Sequence, residues 1–196
     1  MNAIAKIAAV MGLIAGIAPA PAQQKAAPRR EIPALILTSP AFADGTDIPP
    51  RFPISVPNPL SPKLEWSNVP DNTVTFALNF HDPDGIPQNH SEDYLHWLVF
   101  NIPAAVRGLP EGMPWQPRLP DGTIQCNNRG IFGYIGPGAP FYGPRHHYTF
   151  ELFALNARLE LGSDATRADL MQAMDGHVLA KGMLIAMFHK APVPDR

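Results

Sequence analysis

The sequence predicts an all-β fold: a mostly antiparallel, two-sheet β-sandwich carrying one small helix late in the chain. Three observations carry that expectation. Proline accounts for 24 of 196 residues, more than twice the usual share of about 5%. Each interior proline removes a backbone donor and clashes with the preceding turn, so such a chain is not mostly helical. Segments 73–81 and 148–155 alternate apolar and polar residues with the period of two that a strand requires. Only one stretch, beginning at Thr166, joins a helix start signal to apolar residues at helical spacing. The length suits one domain with a real core.

Taken in order, residues 1–22 read as a secretory signal peptide. A single Lys6 precedes an apolar run over 7–18, and Ala18-Pro19-Ala20 and Ala20-Pro21-Ala22 offer the small residues a signal peptidase needs. As a helix, a run of about 12 residues spans about 18 Å, short of the roughly 30 Å of a bilayer core. Export to the periplasm or beyond is therefore expected, rather than a transmembrane anchor. Residues 23–33 are polar and basic with nothing to bury and read as a flexible lead-in. The domain is expected over 34–190, with a tail at 191–196.

The domain reads as short strands. An apolar run covers 34–37, and another short segment covers 64–66 between Pro62 and the turn cluster of 68–72. Segment 73–81 puts Val74, Phe76, Leu78 and Phe80 on one buried face, with the other face less buried. Segment 94–102 is nearly all apolar and is expected to be buried on both faces; 148–155 alternates, and 183–188 makes a closing strand. Thr166-Arg167-Ala168-Asp169 has capping-box spacing, with Asp in place of Glu or Gln, and the helix should stop at Gly176. Residues 111–142 have no period and read as a long loop in which Gly130, Gly133, Gly136 and Gly138 let the backbone approach something closely. There are no internal repeats.

Composition excludes some functions. Lys plus Arg number 15 against 17 Asp plus Glu, scattered rather than in blocks, so no footprint for nucleic acid is present. Cys126 is the only cysteine, so no intramolecular disulfide forms, and with Gln125 and Asn127 as neighbours it reads as a bystander thiol.

The ionisable residues gather where strands give way to loops: His81-Asp82-Pro83-Asp84, His96-Trp97-Leu98-Val99-Phe100-Asn101, and Gly143-Pro144-Arg145-His146-His147-Tyr148. Such strand ends are where small-molecule sites are built. With Ser61-Pro62-Lys63-Leu64-Glu65-Trp66, Gly136-Pro137 and Gly176-His177-Val178-Leu179-Ala180, these runs resemble the phosphatidylethanolamine-binding protein family, and within it the bacterial Raf-kinase-inhibitor-like branch. The resemblance covers about 35–190 in the family's order and spacing.

It implies a Greek-key β-sandwich with a small surface pocket for anions such as phosphate or a phospholipid head group. By position the pocket residues are Asp82, His96, His146 and Tyr148, with Asp84 as the second acid of the Asp-Pro-Asp motif and Gly136 and Pro137 on the rim. Two departures from the family pattern stand out. One extra residue follows Asp84 in Gly85-Ile86-Pro87, and His147 stands where the family has arginine, so a permanent charge has become one that titrates.

Chemistry gives the same residues a coherent task. Two imidazoles beside a carboxylate favour their protonated form and present positive charge, Tyr148 adds a hydroxyl donor, and N–H groups of the glycine-rich loop complete an anion site. Affinity should then fall as pH rises through the histidine range. Each residue also has a plainer role open to it. His96 would serve as a core histidine, Asp82 and Asp84 as turn formers, and His177 as a packing or capping group. Adjacent His146 and His147 should face opposite ways, so that one of them lines the pocket.

Rival functions remain open from sequence. Two histidines and a carboxylate form a known metal set, but none sits at helical i, i+4 spacing or in a paired Cys/His frame. A phosphoester hydrolase would have to use Asp and His to activate water, since Gly-x-Ser-x-Gly, His-Glu-x-x-His and phosphate-loop motifs are all missing. Regulation of a kinase or peptidase is a third class that the resemblance implies. The expectation is a binding protein without cofactor or chemistry of its own, its ligand phosphate, phosphoethanolamine or a carboxylate.

Overall fold

The computed structural model describes residues 34–85, 93–127, 132–139 and 144–190. The expected signal peptide, lead-in and tail, His90, Gly130 and the Ile86-Pro87 pair lie outside the described residues. Among the described residues are nine strands and one helix: β1 Ile36–Thr38, β2 Thr46–Asp47, β3 Leu64–Ser67, β4 Thr75–Asp82, β5 Tyr94–Pro103, β6 Gly108–Leu109, β7 Ile124–Cys126, β8 His146–Leu155, α1 Arg167–Met174 and β9 Val178–Phe188.

They form two sheets, β1-β3-β6 and β2-β9-β8-β4-β5-β7. All pairings are antiparallel except β2 with β9. Within the larger sheet β8-β4-β5-β7 has the spatial order 4-1-2-3 of a Greek key, because the long connection after β7 returns the chain to the far side of β4. The expected all-β sandwich with a late helix is the observed fold.

The apolar residues divide between two cores. Leu37, Leu64 and Trp66 of the small sheet face Phe76, Leu78, Phe80, Phe150 and Leu152 of the large one. Phe80 anchors this interior, stacked on Phe150 at 3.9 Å and on Tyr134 at 5.4 Å between ring centroids. A second core lies on the outer face, where Leu159, Leu170 and Met174 cover Ala77, Phe100 and Phe153. That cover corrects one expectation: β4 is buried at every residue, not on one face only, because the helix and the chain leading into it close its second face.

The helix starts as its sequence predicts. Thr166 Oγ1 accepts from Asp169 N at 3.2 Å, and the Asp169 carboxylate accepts from Thr166 N at 2.9 Å. His177 has the plainer role, its N–H capping the Met174 carbonyl at 2.9 Å while its ring meets Asn156 Oδ1 at 2.9 Å. Elsewhere pattern and structure part. β7 lies inside the segment read as loop because its central Gln125 breaks the apolar signal. That amide is wholly buried, accepting from Trp97 Nε1 at 2.9 Å and donating to Pro114 O at 2.9 Å. The closing strand begins at Val178 rather than 183, since its inward positions there are the small Ala180 and Gly182 and its exposed Met183 is apolar, which hides the alternation. Among the described residues no helix is long and apolar enough to cross a membrane.

Candidate functional site

The site begins with a fault in strand pairing. Phe80 of β4 faces Trp97 of β5, but the next residue, His81, faces Leu95. β5 therefore carries one extra residue, His96, against a single step of β4, which is a β-bulge. Strict alternation would send His96 and Trp97 to opposite faces. The bulge turns both inward, so Trp97 joins the interior while the His96 ring lies 5.3 Å from Phe80 and 5.2 Å from Tyr148. Sequence periodicity missed this because a bulge is a property of pairing, not of either strand alone.

At this end of the sandwich is a cavity of about 330 Å³. Asp82, Asp84, His96, His146 and Tyr148 are its polar lining and Ile54, Tyr94, Ile135 and Ala139 its apolar lining, with Gly85, Gly136 and Gly138 completing the wall. The residues picked from sequence thus converge, Pro137 excepted. Pro137 is buried, does not line the cavity, and accepts from Ile54 N at 2.9 Å. Gly136 has a steric reason to be glycine: a Cβ there would sit 2.2 Å from the Phe52 carbonyl oxygen, so the chain at 52–54 crosses directly over it. Ile54 had no sequence signal, since its segment has no period.

Asp82 organises the polar side. Its Oδ1 accepts from Asp84 N at 2.9 Å and Gly85 N at 2.8 Å, shaping the turn after β4. Its Oδ2 accepts from His146 Nδ1 at 2.8 Å. With three hydrogen bonds this carboxylate, 3% exposed, is held on both oxygens. The Tyr148 hydroxyl accepts from Gly138 N at 3.2 Å and Ala139 N at 2.9 Å. Burial, with the charge of Asp82, pushes its pKa far up, so the phenol keeps its proton. Gly138 N and Ala139 N are thus spent on the Tyr148 oxygen and hold the rim, while Tyr148 itself lines the cavity.

Two imidazoles complete the polar lining. His146 is tethered through Nδ1 to Asp82, and His96 through Nδ1 to the Ile135 carbonyl at 2.9 Å. With Nδ1–H of His146 committed to a carboxylate, a protonated ring there has its second N–H at Nε2.

His147 faces away, as the alternation with His146 requires, and latches Asp84. The Asp84 carboxylate accepts from His147 N at 2.7 Å and Nδ1 at 2.8 Å. Burial tends to raise the Asp84 pKa, but these bonds and the charges of His147 and His146 outweigh it and hold the group below the usual range.

His81, for which the sequence offered no partner, lies behind the site on the outer face. Its Nδ1 is 2.8 Å from Asp93 Oδ2 and its Nε2 3.3 Å from Glu151 Oε2, close enough for charge attraction though not aligned for hydrogen bonds. Among the described residues no three His, Cys, Asp or Glu side chains gather as a metal site.

The profile described as phosphatidylethanolamine-binding protein matches residues 38–189. The chain belongs to the phosphatidylethanolamine-binding protein family. A UPF0098 protein of Methanothermobacter thermautotrophicus is 40% identical over 151 residues, covering 76% of this chain and 95% of the relative. The UPF0098 protein YbhB of Escherichia coli is 35% identical, over 66% of this chain and 81% of its own. Among solved structures, a phosphatidylethanolamine-binding protein homologue from Chlamydia trachomatis superposes with a TM-score of 0.70 at 32% identity, over 80% of this chain and 98% of the other. Escherichia coli YbcL does so with a TM-score of 0.70 at 27% identity, over the same shares. The architecture is thus a ligand-binding fold shared across the family.

Proposed function

We propose that this is an exported, non-enzymatic binding protein whose cavity takes a small anion, phosphate or the phosphate-bearing head of a larger molecule. The observation that carries the reading is the His146 imidazole on the cavity wall, tethered through Nδ1 to Asp82, so that a protonated ring there carries positive charge and a second N–H at Nε2. The engagement of Asp82 supports binding over catalysis, because both oxygens of this carboxylate are already committed to Asp84 N, Gly85 N and His146 Nδ1. Export rests on the leader at 1–22.

Calorimetric titration of phosphate and phosphoethanolamine between about pH 5.5 and 8.5 tests the reading. Affinity is expected to fall as pH rises, and Asp82→Asn, which leaves His146 without its carboxylate partner, to weaken binding about tenfold or more. Affinity that stays flat with pH, or phosphoester turnover lost in Asp82→Ala, would overturn it.

A further inference from the structure

We propose that an extended segment of another protein, acidic at one end and apolar at the other, docks in a trough along the outer edge of the small sheet. The trough shares no lining residue with the ligand cavity, so it stands apart from the anion reading.

Two hollows make up the trough. One, of about 420 Å³, has Ile102, Val106, Leu109, Leu119 and Thr123 in its lining. The other, of about 430 Å³, is lined by Leu60 and Trp115 among others. Met113 and Pro114 line both, so the two adjoin and form one longer recess. An elongated hollow suits a stretched chain better than a compact metabolite.

The backbone supplies a second reason. Among the described residues β6 is the outermost strand of the small sheet and pairs on one side only, with β3. Its Gly108 and Leu109 line the trough. The outer side of an edge strand offers N–H and C=O groups to any extended segment laid beside it. A protein segment, unlike a lipid surface, has the backbone to bond such an edge inside a recess.

Charge decides which segment fits. Arg107 and Arg118 are exposed and are the chain neighbours of Val106 and Leu119 in the lining. Arg158 reaches the same place through space, donating to Gly122 O at 3.2 Å between Asp121 and Thr123. None of the three is in an ion pair among the described residues. The acids of the adjoining segments are already paired, Glu65 with Lys63 at 2.6 Å and Glu111 with Arg51 at 3.0 Å. Asp121 is the one carboxylate in the lining, its Oδ1 accepting from Thr123 N at 2.9 Å. Three guanidiniums against one carboxylate, on a chain of net charge -2, favour an acidic occupant.

The far end is apolar. Trp66 and Trp97 are buried, but Trp115 is 52% exposed and Leu60 43%. Exposed apolar side chains gathered in a hollow mark an interaction surface.

The test pans a displayed library of random peptides on the full chain and titrates the selected peptides by tryptophan emission. Selected sequences should join Asp or Glu to apolar residues, and emission should shift to the blue as Trp115 loses water. Arg107→Glu with Arg118→Glu should weaken binding about tenfold or more, and Trp115→Ser should remove the emission shift. All three side chains are exposed, so thermal melting of the variants should match wild type. Selected sequences without acidic residues, or binding undiminished in the double arginine variant, overturn the proposal. Competition by phosphate at constant ionic strength also overturns it, since the peptides would then occupy the cavity. If no peptide is selected, the proposal falls; binding to phosphatidylglycerol vesicles, or self-association by light scattering, that the arginine variant loses would then assign the trough to a membrane or to a second copy.

Discussion

Replacing Glu151 with glutamine removes a buried charge around which the outer face of the large sheet is arranged. Glu151 is 9% exposed, accepts from Asn79 Nδ2 at 2.8 Å, pairs with Lys181 and lies against His81. Burial alone would raise its pKa, but contact with His81, Lys181 and Asn79 outweighs that and holds it at about 2, against an ordinary value of 4.5. A depression of about 2.5 units corresponds to about 3 kcal/mol of stability.

The sign follows from the depressed folded-state value. The contribution is complete above pH 4.5, where the unfolded chain is also ionised, and is lost as pH falls from there toward about 2. Urea unfolding of wild type and Glu151→Gln should differ by about 3 kcal/mol at neutral pH, or about 6–12 °C in Tm, with the difference shrinking through that window. A difference constant with pH, or a variant as stable as wild type at neutrality, would refute the reasoning.

Two further predictions concern the core and the rim. Burial, with the charge of Asp164, pushes the Cys126 thiol up to about 12, so native protein should resist thiol reagents at neutral pH and react promptly once denatured; fast labelling of the native state would contradict this. Gly136→Ala places a methyl against the backbone of Phe52 and Ile54, which cannot move aside cheaply. We expect a loss of about 1–3 kcal/mol by thermal melting, together with weaker phosphate binding by calorimetry.

Patterns confined to a few neighbouring residues were legible in the chain. Phe76, Leu78 and Phe80 announce a strand because alternation is local, and Thr166 with Asp169 announces a helix because a capping box spans four residues. The polar residues of the cavity were also identified from sequence, through a resemblance carried by short motifs. β7 was not, because a buried glutamine reads as polar until its partners are known. Ile54 was not, because nothing in its segment repeats.

From the amino-acid order alone came the β-rich class, the late helix, the family and the identities of the acid, imidazole and phenol groups at one end of the sandwich. Their working roles were decided by contacts between residues far apart in the chain. Asp82 comes to hold the His146 ring only because β8 brings that ring to it, and His96 enters the cavity only because the β4–β5 ladder slips by one residue. Propensity and periodicity act over a few residues, whereas hydrogen-bond saturation and strand register depend on segments that only folding brings together.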